Sequence, residues 1–215
     1  MAYPTVSAPY GLKPVNLIGG QVYAGSTRLL KIASAYAANI FYGDVVKLVS
    51  SGTIEKDTGT TTGTPVGVFL GCTFTNPSTK QPTWSQYWPT GTVASDAQAY
   101  VVDDPDVLFK VAAVSAGTTI AFYAQTVIGL NVSLVQNSGS TTTGDSAVAI
   151  DGSAVATTVS LPIRIIGGVP DTANSSGEFC EFICKWNMPY ITLAEGTPNV
   201  VTWAGGHQYL NPLGV

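Results

Sequence analysis

PVGVFLGCTFTN, residues 65–76, is β-branched, aromatic and almost continuously apolar, with a proline at its head and an Asn at its end. A strand with one wet face alternates apolar and polar residues, so a run without alternation reads as a strand buried on both faces. Upstream, FYGDVVKLVSSGTIEKD (41–57) gives a hairpin. Gly43-Asp44 turns the chain into Val45 to Val49, and Ser51-Gly52 forms the tip before Thr53, Ile54 and Glu55. Further back, GQVYAGSTRLLKIAS (20–34) alternates well enough for a half-buried strand pair bent at Gly25-Ser26. Downstream, AQAYVVDDPDVLFKVAAV (97–114) holds two strands, Gln98 to Val102 and Val107 to Val111, broken by Asp103-Asp104-Pro105-Asp106.

The second half follows the same logic. SAGTTIAFYAQTVIGLNV (115–132) is where one or two helical turns compete with strand, with Gly129 as the stop. Strands are expected around Ala147 to Ile150 and Leu161 to Ile166, with an Asp151-Gly152 turn between them, and GEFCEFICKWNM (177–188) is the last clear strand. TGTTTGT (58–64) reads as a polar loop. The expected fold is all-β, mainly an antiparallel β-barrel or sandwich, with one short helix and extended N- and C-terminal arms. Its expected layout is an arm over 1–19, a β-rich core over 20–190 and a tail over 191–215.

Composition narrows the function. The 215 residues include 9 Lys+Arg, 13 Asp+Glu and one His, and charged residues make up 10% of the chain, against a usual value of about 25%. A net charge of −4 with no basic run leaves no field to attract phosphates, so no nucleic-acid partner is expected. The N-terminus lacks the charged and apolar regions of a secretory signal, and no apolar run is long enough to span a bilayer. The expectation is therefore a soluble chain made in the cytoplasm, with no membrane partner.

Few residues could carry catalysis or hold a metal. Cys72, Cys180 and Cys184 are odd in number and read as reduced, buried small hydrophobes; in a strand Cys180, Phe182 and Cys184 share a face. His207 is the one imidazole and lies in a Gly-rich tail, where packing is the simpler role. Asp103, Asp104 and Asp106 could hold a hard cation, but they lack the spacing of a calcium loop and read as a solvated turn. Gly144-Asp145-Ser146-Ala147-Val148 lacks the closing glycine of a nucleophile elbow. No phosphate-binding, dinucleotide or zinc-protease motif is present. The expectation is no enzyme, no cofactor and no metal.

What remains is adhesive chemistry. Pro4, Pro9 and Pro14 recur every five residues and favour an extended segment decorated by Tyr3, Tyr10 and Leu12. Tyr3, Pro4, Pro9, Tyr10, Leu12 and Pro14 are the expected contact arm, although an ordinary first strand on the chain's own sheet fits the same residues. Trp84, Tyr87 and Trp88, in the Pro-punctuated TKQPTWSQYWPTGT (79–92), are the expected intersubunit patch.

The order APYGLKPVNLIGG, YAGSTRLLKIAS, FYGDVVKL, PVGVFLGC, KQPTWSQYWPTGT, AYVVDDPDVLFKV, followed by IGLNVSLVQNSGSTTTGDSAV and SLPIRIIGG, resembles capsid decoration (cement) proteins of tailed bacteriophages over most of residues 9–170. The resemblance implies a structural virion protein on the outer capsid surface. Such a protein binds the assembled major capsid protein, as a dimer or trimer, and bridges capsid subunits. It brings no catalytic residues. The alternative reading is a carbohydrate-binding or tail-fibre-type adhesion module, with Trp84, Trp88 or Trp203 stacking on sugar rings.

Overall fold

The structure is a computed structural model that describes residues 9–115, 119–120, 125–172, 180–188, 190–193, 201–204 and 206–210. Sixteen strands are seen. In the first half they are β1 (Lys13–Leu17), β2 (Arg28–Lys31), β3 (Val45–Leu48), β4 (Ile54–Lys56), β5 (Gly67–Thr75), β6 (Pro82–Ser85), β7 (Gln98–Val102) and β8 (Val107–Ser115). The second half adds β9 (Thr119–Ile120), β10 (Asn131–Val132), β11 (Leu134–Val135), β12 (Ala149–Asp151), β13 (Ile163–Gly168), β14 (Glu181–Trp186), β15 (Tyr190–Leu193) and β16 (Val201–Ala204). The helical content described is two 3₁₀ turns, Gln125–Val127 and Gln208–Leu210. The fold is thus mainly β; of the segment expected to hold a short helix, Gln125–Val127 is a 3₁₀ turn and residues 121–124 lie outside the described residues.

One sheet runs β2-β7-β5-β3-β4, with β6 added alongside β5. The other runs β10-β13-β14-β8-β12-β11, with β1 and β9 also on β8, and β15 and β16 form a separate hairpin. Pairing is antiparallel except between β12 and β8. The acidic turn 103–106 does not join a hairpin: it carries the chain from β7 in the first sheet to β8 in the second.

Around Val68 and Phe69, β5 is covered on both sides. Val45, Val68 and Val102 point into a cluster shared with Phe109, Val111, Ile163 and Phe182 of the second sheet. Their chain neighbours Val46, Phe69 and Val101 point the other way, into a cluster with Ile32, Ile40, Ile54 and Trp88. Successive strand residues face opposite sides, so three adjacent pairs make the first sheet the middle layer of the molecule. Its outer cover consists of connecting segments rather than a third sheet. Gly67 permits this close packing, because a Cβ there would lie 2.1 Å from the Val102 carbonyl oxygen.

Buried polar groups hold the layers in register. Asp44, fully enclosed, accepts from the Phe41 amide at 2.9 Å and the Ser146 hydroxyl at 2.6 Å, and pairs with Lys56 Nζ at 3.0 Å. A buried carboxylate is tolerable when its lone pairs are filled in this way. Asp57 organises the 58–64 loop by accepting from the amides of Gly59 and Thr64, both at 2.9 Å.

Three expectations are corrected. In 20–34 only Arg28–Lys31 forms a ladder strand; before the bend at Gly25, which takes φ +79°, Val22 makes just an isolated bridge to Asn16. The arm expected over 1–19 is, in its described part, β1 paired with β8, because Leu12 enters the core and Tyr10 is bonded to Glu181. Tyr3 and Pro4 lie outside the described residues. The extended C-terminal tail expected over 191–215 is docked on the core at Gln208, whose side-chain carboxamide accepts from the Leu48 amide at 2.6 Å and donates to the Leu48 carbonyl at 3.0 Å.

Candidate functional site

Of the nine residues singled out in the sequence, the seven that are described range from fully buried to exposed. Leu12 and Trp88 have no exposed surface. Trp88 packs edge-on against Phe74, 5.4 Å between centroids, so it belongs to the outer core and not to a contact patch. Tyr87 is half-buried and stacks on Phe41 at 5.6 Å. Pro9, Tyr10 and Pro14 are half-buried beside the second sheet. Trp84 alone of the aromatic trio is exposed, at 61%.

Tyr10 closes an ion network at the start of β1. Its hydroxyl donates to Glu181, and Lys110 Nζ lies 3.1 Å from the same carboxylate oxygen. Burial first, then this hydrogen bond, pushes the Tyr10 hydroxyl far above its ordinary range. Lys13 sits 3.7 Å over the Tyr42 ring and 3.5 Å from Asp145. Burial lowers the Lys13 ammonium while Asp145 opposes the fall. These groups are occupied with one another and fasten the chain just after residue 8.

The cysteines and the histidine are enclosed. Burial raises the Cys72 thiol to about 12 and lowers the His207 imidazole to about 4. His207 has no exposed surface and packs among Trp186 and Tyr209. Cys180 and Cys184 are buried in the inter-sheet cluster with Phe182, as the shared face requires. Two acids of the turn face cations, Asp103 pairing with Arg28 and Asp106 lying 3.7 Å from Lys185, and Asp104 accepts from the Asp106 amide. Among the described residues no group of three metal-binding side chains is gathered.

Two surface features stand out. Where β1 ends, Ile18, Ile166 and Met188 border a hollow of about 360 Å³ whose rim carries Arg164 and Lys185. Met188 is 67% exposed. The sequence reading missed this patch, because its residues come from three distant segments and only the pairing of β13 with β14 brings two of them together. The second feature surrounds Trp84, where hollows of about 390 and 430 Å³ share Thr75 and Asp96. Asp96 is held by the Thr75 amide and hydroxyl, the latter at 2.6 Å, and these bonds lower its carboxyl below the ordinary range.

Comparison with protein-family models, curated proteins and solved structures finds no match for this chain. Among the described residues no helix is long and apolar enough to cross a membrane.

Proposed function

We propose that this chain is a structural, non-enzymatic virion protein that binds the outside of the assembled phage capsid and stabilises the shell by bridging its subunits. Its partners under this reading are the major capsid protein and further copies of itself, as a trimer or dimer. The observation that carries the reading is the patch of Ile18, Ile166 and Met188 with Arg164 and Lys185 on its rim, next to the end of β1. Exposed apolar groups ringed by a few charges suit a contact repeated many times over a symmetric lattice, where weak sites act together. Low overall charge supports the same reading, since few ions would need desolvation on docking. The network at Tyr10 and Lys13 fastens the chain directly after the segment that carries Tyr3 and Pro4 of the proposed contact arm.

Purified protein mixed with undecorated capsids tests this by co-sedimentation. Removing residues 1–8 keeps Tyr10 and Leu12 and is expected to lower occupancy, with unchanged thermal melting as the check on folding. Ile18→Asp with Met188→Asp is expected to weaken binding by about tenfold or more, the scale of losing a contact hot spot. Undiminished occupancy in both variants refutes the assignment.

A further inference from the structure

We propose that the face of the middle sheet around Trp84 binds a neutral oligosaccharide, with the indole as the platform for a sugar ring. Strand register defines the surface. Trp84 of β6 lies opposite Thr73 of β5, which lies opposite Gln98 of β7, and Tyr100 lies opposite both Gly71 and Leu29. Residues directly opposite one another share a face, so Trp84, Thr73, Gln98, Tyr100 and Leu29 look out on the same side. They are half-buried or exposed, while Val102 farther along β7 enters the core.

The indole is held in place. Gly71 sits in the bulge of β5 at φ +142°, a conformation other residues rarely adopt, and a Cβ there would lie 3.1 Å from Trp84 Cζ2 and 3.5 Å from Cε2. The six-membered ring therefore covers bare backbone, a close approach that only glycine allows. One side of the ring is used for this, and 61% of the residue stays in solvent. A ring fixed before the ligand arrives loses little conformational freedom on binding.

The surroundings supply the polar half of saccharide recognition. A pyranose presents C–H groups on one face and hydroxyls at its rim, and it needs an apolar plate beside fixed donors and acceptors. Asp96, pinned by Thr75, is a fixed acceptor in the hollow beside the indole. Thr73 contributes a hydroxyl to the same hollow, and the adjoining hollow adds Ser95 and Lys80. Among the described residues Asp96 and Lys80 are the only formal charges lining the two hollows, one of each sign, so the surface selects neither anions nor cations. Such chemistry suits a neutral glycan.

The test is affinity electrophoresis of the full chain in native gels containing soluble cellulose derivative, dextran or galactomannan. Retardation in at least one polymer is expected. Trp84→Ala should weaken it by about tenfold, the upper range of one aromatic contact. Thr73→Arg, which fills the hollow without touching the indole's seat on Gly71, should weaken it as well, with unchanged thermal melting as the check on folding. No retardation of the natural chain in any of the three polymers, or retardation of either variant equal to that of the natural chain, overturns the proposal. Capsid co-sedimentation of the same variants reads the capsid contact separately, since neither residue belongs to the Ile18–Met188 patch.

Discussion

Trp88 and His207 show what burial does to single residues in this chain. Trp88 fills the outer cluster against Phe74, and its Nε1 donates to the Tyr36 carbonyl at 3.5 Å. Trp88→Ala is expected to cost about 3–5 kcal/mol, read as a fall in the urea midpoint, whereas Trp84→Ala should leave that midpoint nearly unchanged. His207 makes stability depend on pH. Its folded value near 4 lies below the unfolded value of about 6.5, so the unfolded chain takes up a proton that the folded chain refuses. Stability from this source is complete above pH 6.5 and is lost as pH falls toward 4, by about 3 kcal/mol in all. Urea titrations of the natural chain and His207→Phe at pH 7 and pH 4.5 check this: the gap between the two pH values should shrink in the variant.

At the level of elements, the returning C-terminal segment acts as a clasp. Gln208 bonds both backbone groups of Leu48, and its own amide donates to the Pro65 carbonyl at 2.8 Å. The clasp thus joins β3 to the entry of β5. Gln208→Ala is expected to lower stability by about 1–2 kcal/mol, since two hydrogen bonds are lost and a buried carbonyl and amide are left exposed to repartnering; calorimetric melting reads it. β1 is the counterpart at the other end. Proline at position 14 is compatible with both a free arm and an edge strand, because an extended backbone serves both. What decided for the strand was Leu12, whose side chain enters a cluster assembled from both sheets. No local pattern announces such a partner. Trp88 was obscured in the same way: its loop composition suggested exposure, and the cavity that receives it is made by Phe74, Ile40 and Tyr36 from elsewhere in the chain.

On the scale of the whole molecule, legibility followed the range of the deciding interaction. The hairpin of β3 and β4, the break at Asp103–Asp106 and the doubly covered β5 were readable, since turn residues and side-chain alternation act within a few positions. That β7 and β8 belong to different sheets was not, because an Asp-Pro turn looks the same whether the chain folds back or crosses over. The Ile18–Ile166–Met188 patch is a product of such long-range pairing, whereas the trough beside Trp84 is built by the neighbouring strands β5 and β6 with Asp96, and the sequence marked only Trp84 itself.

A middle layer covered on both sides has a kinetic corollary for its amides. Val68 and Phe69 lie where both clusters close over β5, while Thr73 and Thr75, a few residues along the same strand, border open hollows. Deuterium uptake in heavy water should therefore grade along one continuous strand. The Val68 end would exchange only through global opening, while the Thr75 end would exchange through small local fluctuations.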